Sequence, residues 1–287
     1  MRSIALAIAD TKECEAALNA AFKLGRSQGA DIVGYHVMPS KEMTLQLNRG
    51  ELWSGSAMAF PIWTGGDEAI KKAEIKAQSL FERVASMHNY PLSDKHGNPE
   101  KPHAIYKVRE GAPEKIFTSV GPLHDLIVVS RPSKRGGVTA YAIMVSALLD
   151  ASTPVLLLPQ EKVKVSGERV IIAWNGGQAE SVLIHQTLSL LQLASKVTLV
   201  TVGKQTGKGP SANDMTKYLS SHGIKASTLT VKGNNAGKAI DEVVQNEKAG
   251  LLFCGAYSRG RMREIILGGV TEYLINRSNI PVIMLHV

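Results

Sequence analysis

The chain has 287 residues, 44% of them hydrophobic and 20% charged, a composition typical of a soluble globular protein and a length suited to two domains. The net charge of +8 is scattered, aromatic residues make up only 5%, and no RNA-recognition signature, zinc finger or basic-region heptad appears, so no nucleic-acid partner is expected. No apolar run reaches the ~18 residues of a membrane span, no cleavage signal follows the short apolar start, and Cys14 and Cys254 stand far apart. The expectation is a cytoplasmic protein with no disulfide and no membrane partner.

In chain order, Ile4-Ala5-Leu6-Ala7-Ile8 reads as a buried strand, and 13–28 as a helix with Ala16, Ala17, Ala20, Ala21 and Leu24 on one face. A second strand covers 32–37. An insertion, 39–66, follows with Trp53, Phe60 and Trp63; it is either a loop packed back on the core or a lid over a pocket. The next helix is 67–88. The stretch 89–102 is rich in Pro, Gly and Asn and reads as a loop, and His88, His96 and His103 are not at metal-ligand spacing. Val108-Arg109-Glu110-Gly111-Ala112-Pro113 precedes a fourth strand at 125–130, and Pro154 leads a fifth, Val155-Leu156-Leu157-Leu158.

The order then repeats. Val170-Ile171-Ile172-Ala173-Trp174 opens the second half, and 179–193 is helical, with Val182, Leu183, Leu190 and Leu191 on one face. Val231-Lys232-Gly233-Asn234-Asn235 parallels 108–112, a buried run ends at Gly255, and Pro281 leads Val282-Ile283-Met284. Apolar strands alternating with helices imply a parallel sheet covered on both faces. The fold class is α/β: two tandem open parallel five-stranded sheets, Rossmann-like, in domains 1–160 and 167–287 joined by the charged stretch 160–167.

Two stretches imitate a phosphate-binding loop, Gly203-Lys204-Gln205-Thr206-Gly207-Lys208 and Gly233-Asn234-Asn235-Ala236-Gly237-Lys238. Each is one residue short between its glycines and lacks the hydroxyl after the lysine that would hold magnesium, so neither is a P-loop. More telling is 255–271, which leaves a strand, carries Arg259, Arg261 and Arg263, and reaches Gly268-Gly269 at the start of a helix running through Ile275. A double glycine is costly inside a helix; at a helix start it bares N–H groups to an anion, at the sheet edge where open α/β folds bind ligands.

These residues resemble the universal stress protein family across the whole chain. Nucleotide-binding members carry, after strand four, Gly, two residues, Gly, nine residues, then Gly-Ser or Gly-Thr. The corresponding positions here are Gly255, Ser258 and Gly268-Gly269, so the spacing fits and two residues depart. The resemblance implies phosphates along Gly255, Ser258, Gly268, Gly269 and Val270, ribose near Ala173 and Asn175, and adenine on the main chain of Val202. Asn175 stands where the family has Asp. The first half keeps Asp10 there, but after strand four it reads Ser130-Arg131-Pro132-Ser133, and its helix start, aligned backwards from Pro154, falls on Tyr141-Ala142 without glycines.

The expected function is therefore a stress-response protein binding a small ligand, ATP or AMP, in the second domain. No paired carboxylates, nucleophile–base set or metal cluster points to an enzyme. An interaction module without nucleotide, or a slow ATPase, are the alternatives, and magnesium stays open. The resemblance also implies pairing of the last strands of the two domains within the chain, with a homodimer as a further option.

Overall fold

Runs of branched apolar residues become strands because both faces of each are covered by helices, so no residue needs to face water. The computed structural model describes residues 1–8, 12–38, 40, 66–132, 137–160, 165–256 and 269–287. They fall into two units, Met1–Thr153 and Pro154–Val287. The insertion with Trp53, Phe60 and Trp63, the residue Asp10, the arginines 259, 261 and 263, and Ser258 and Gly268 lie outside the described residues.

The first unit runs β1 (Ser3–Ala7), α1 (Lys12–Gln28), β2 (Asp31–Met38), α2 (Gly66–Met87), β3 (Ala104–Glu110), α3 (Pro113–Val120), β4 (Leu126–Ser130) and α4 (Gly137–Asp150). Its strands lie in the order β3-β2-β1-β4, all parallel, with Ala5 of β1 between Val33 and Ile127. Leu18 and Phe22 of α1 and Phe81 of α2 are fully buried with Ile4 and Leu6. Gly34 in β2 makes room for this packing: a Cβ there would stand 2.1 Å from Ile8 Cδ1 and 2.8 Å from Phe81.

The second unit begins with β5 (Val155–Leu158) and continues β6 (Arg169–Ala173), α5 (Gln178–Gln186), α6 (Leu188–Leu191), β7 (Lys196–Val202), α7 (Ala212–Ser221), β8 (Ala226–Val231), α8 (Ala236–Asn246), β9 (Leu251–Gly255), α9 (Gly269–Arg277) and β10 (Val282–Leu285). The order is β5-β10-β9-β6-β7-β8. All these pairs are parallel except β5 with β10, which is antiparallel, Leu156 opposite Ile283.

The alternation of strands and helices is as expected, and the last strands of the two halves do pair. The expectation of two separate five-stranded parallel sheets is corrected at β5, which joins the sheet of the second unit. Both β5 and β10 are buried along their whole length, and two apolar edge strands satisfy their backbone groups by pairing with each other. The helix expected at 179–193 is divided at Thr187, whose hydroxyl donates back to the Leu183 carbonyl and competes with the helical ladder.

Candidate functional site

The carboxyl edge of the second unit gathers most of the described candidates. Ala173 ends β6, Val202 ends β7 and Gly255 ends β9, on adjacent strands. Thr271, buried on α9, donates its hydroxyl to the Gly255 carbonyl at 3.5 Å, which ties the start of α9 to the same edge. Gly269 is the first residue of α9 and is exposed; no described residue lies within 4 Å of where its Cβ would be. The first N–H groups of α9 have no partner within the helix and carry the positive end of its dipole. A shallow depression of about 410 Å³ runs beside this helix, lined by Gly269, Glu272, Tyr273, Asn276 and Arg277. A second depression, about 510 Å³, lies at the opposite, amino edge around Lys196 and Lys225, away from these residues.

Asn175 is placed at this edge, but its side chain is engaged by the chain itself. Its Oδ1 accepts from the Thr206 N–H at 3.2 Å, the Thr206 hydroxyl at 2.8 Å and the Gly207 N–H at 2.9 Å. The main chain follows suit: Gly207 N–H also donates to the Asn175 carbonyl, and Gly209 N–H to the Gly176 carbonyl, both at 2.9 Å. The first imitation of a phosphate loop is thus a loop folded down on the turn after β6. No pattern of residue types announces that contact, because its donors are mostly backbone. Beside it, Trp174 is buried, and its indole N–H has no partner among the described residues.

Gly255 has a packing reason of its own. A Cβ there would stand 2.9 Å from Glu180 Cδ and 3.1 Å from Ala179 Cβ, so the missing side chain lets the first turn of α5 close on β9. Glu180 is buried there, and burial, aided by its charge, pushes the neighbouring Cys254 thiol up to about 12, leaving it protonated and unreactive. Gly255→Ala is expected to cost about 1–3 kcal/mol through overpacking, read as a lower urea midpoint with unchanged slope.

The first unit corrects one expectation. Its helix after β4 begins at Gly137, four residues ahead of Tyr141. Gly136-Gly137-Val138-Thr139 therefore matches Gly268-Gly269-Val270-Thr271 at the equivalent helix start. Aligning backwards from the prolines missed it because α4 has 14 residues and α9 has 9; comparing tetrapeptides directly finds it. Arg131, at the end of β4, is partly buried, and burial lowers its pKa. His36, near the end of β2, is buried; its Nδ1 lies 3.2 Å from the Ile8 carbonyl, and burial lowers its pKa.

The loop histidines serve structure. His96 Nδ1 lies 2.8 Å from Asp31 Oδ2, His103 Nδ1 lies 2.9 Å from the Lys95 carbonyl, and His88 stacks on Phe22. At the amino edge, His124 bridges Ser3 Oγ (2.7 Å) and the Tyr35 hydroxyl (2.8 Å). This Ser–His pair escaped the sequence, since 121 positions separate its members. Both residues are buried away from the ligand edge, so the contact is a core hydrogen bond rather than an activated nucleophile. Among the described residues no His/Cys/Asp/Glu cluster could hold a metal ion, and no helix is long and apolar enough to cross a membrane.

Residues 169–286 match the model of the Universal stress protein family. Over the whole chain, the fold is similar to that of a universal stress protein from Archaeoglobus fulgidus DSM 4304, at TM-score 0.72 and 17% identity, covering 99% of this chain and 98% of that one. It is also similar to a candidate universal stress protein from Pseudomonas aeruginosa UCBPP-PA14 (TM-score 0.58, 14% identity, 100% and 93% covered). A functionally unknown protein from Pseudomonas aeruginosa PAO1 is comparable, at TM-score 0.57, 13% identity and 100% and 92% covered. A search of curated proteins returns no significant match.

Proposed function

We propose, from the match of residues 169–286 to the model of the Universal stress protein family and the similar α/β fold of the whole chain, that the second unit binds ATP or another adenine nucleotide at the carboxyl edge of its sheet. The observation that carries the reading is the start of α9: an exposed Gly269, with no described residue against the position of its Cβ, tied through Thr271 to the end of β9, the strand next to β6. Helix N–H groups and dipole would receive the phosphates, with Gly269 and Val270 nearest, Ser258 and Gly268 preceding them in the sequence, and the main chain of Val202 and Ala173 toward the base and ribose. The role is that of a stress-response binding protein acting in the cytoplasm, which fits two buried free cysteines. The proposed role is binding without a catalytic step.

Calorimetric titration of ligand-stripped protein with ATP and AMP tests this reading. A saturable heat and a raised melting temperature are expected. Gly269→Glu meets no described residue at its Cβ and should weaken binding about tenfold by placing a carboxylate against the phosphates, with stability unchanged. No heat and no thermal shift at millimolar nucleotide would favour the alternative, an interaction module of the same fold.

A further inference from the structure

We propose that the 203–210 loop is a latch that closes the ribose position of the second unit from within the chain, and that nucleotide gains entry only when the loop releases Asn175; this rests on the nucleotide reading above. The Asn175 carbonyl oxygen Oδ1 has two lone pairs and already meets three donors, on Thr206 and Gly207. A ribose hydroxyl has no acceptor left there while the loop is docked.

The loop holds its own shape. Gln205 Nε2 donates to the carbonyls of Gly207 (3.3 Å), Gly209 (3.1 Å) and Pro210 (3.1 Å). Docking then proceeds backbone to backbone. Gly176 has φ +73°, and a side chain on it would strike Gln205; a Cβ on Gly207 would stand 2.3 Å from the Gly176 carbonyl oxygen. The contacts that hold the loop down are hydrogen bonds among exposed or half-buried groups. Such bonds contribute little net stability each, which suits a part that opens. Lys204 and Lys208 are exposed on the same loop and offer an incoming polyphosphate a first contact.

A site that is competent for only part of the time binds with an apparent Kd raised by the reciprocal of that fraction. Gly207→Val blocks docking through the Gly176 carbonyl yet leaves Asn175 in place, and Gly207 is not among the nucleotide contacts. Two measurements on the full chain decide the matter: hydrogen exchange of the 203–210 amides without ligand, and the Kd for ATP by calorimetry. The latch predicts protected Thr206 and Gly207 amides in the wild type, faster exchange in Gly207→Val, and ATP affinity raised about fivefold or more. Equal exchange in both proteins overturns the docked loop. Faster exchange with unchanged or weaker ATP binding overturns the gate while leaving the nucleotide reading standing. Faster exchange with no ATP binding by either protein removes the nucleotide reading and the gate with it.

Discussion

Asp31→Ala is expected to destabilise the first unit by about 3–5 kcal/mol. Asp31 opens β2 with its carboxylate almost wholly buried, and there it accepts the His103 N–H at 2.6 Å, the Gly97 N–H at 3.2 Å and His96 Nδ1 at 2.8 Å. These donors belong to the connection between α2 and β3, so one side chain pins a long irregular segment to the sheet. Arg2 adds to the same knot, donating to the carbonyls of Gly29 and Gly97. Truncation leaves the half-buried N–H groups of Gly97 and His103 without their acceptor, and each costs about 1–3 kcal/mol. Gly97 is closely packed in this segment, and a Cβ on it would stand 2.1 Å from the Lys101 carbonyl oxygen. Urea unfolding followed by circular dichroism should show the loss, and hydrogen exchange should confine it to residues 89–110. Asp31→Asn keeps one acceptor oxygen and should lose about half as much. A loss below ~1 kcal/mol for the alanine variant would mean that the connection holds without its anchor.

The second large effect is acid sensitivity centred on His124. Burial, with the nearby His96 and Lys107 cations, pushes its pKa down from 6.5 to about 4. The neutral ring has one donor and one acceptor nitrogen. Nε2 meets the Tyr35 hydroxyl, itself held protonated by burial, and Nδ1 meets Ser3 Oγ, so one contact uses the donor nitrogen and the other the acceptor. Because the folded pKa lies below the unfolded one, the unfolded chain takes up the proton first as the pH falls. Stability is therefore complete above pH 6.5 and declines through the window from 6.5 to 4. The expected loss from this residue is about 2 kcal/mol by pH 5 and about 3 kcal/mol by pH 4. His36 and His88 are shifted in the same direction, also by burial first, and add to the slope. Urea midpoints of the wild type and His124→Gln at pH 7.5 and 5 separate the contributions. The variant starts less stable and loses about 2 kcal/mol less on acidification; parallel losses in the two proteins would remove His124 as the cause.

The sequence by itself determined the local elements and their repetition. Apolar runs such as Val170-Ile171-Ile172 and three–four spacing such as Ala17, Ala20, Ala21 and Leu24 dictate strand and helix because burial of one face is a nearest-neighbour property. The proline-led runs ending each half likewise disclosed two apolar edge strands that needed partners. The place of the candidate site followed too, since ligands of parallel α/β folds bind at the carboxyl ends of the strands.

Only the tertiary structure decided how individual polar groups are used. Asn175 is a ribose candidate by position, yet its acceptor goes to Thr206 and Gly207, 31 and 32 positions away. Gly255 is a phosphate candidate by spacing, yet the close approach of Glu180 and Ala179 already requires it. Asp31, Ser3 and His124 carried no local signal at all, because their partners converge through the sheet order β3-β2-β1-β4 from segments far apart in the chain. Hydrogen bonds reach about 3 Å and ignore sequence distance, so which donor meets which acceptor is settled when the strands pair and not before.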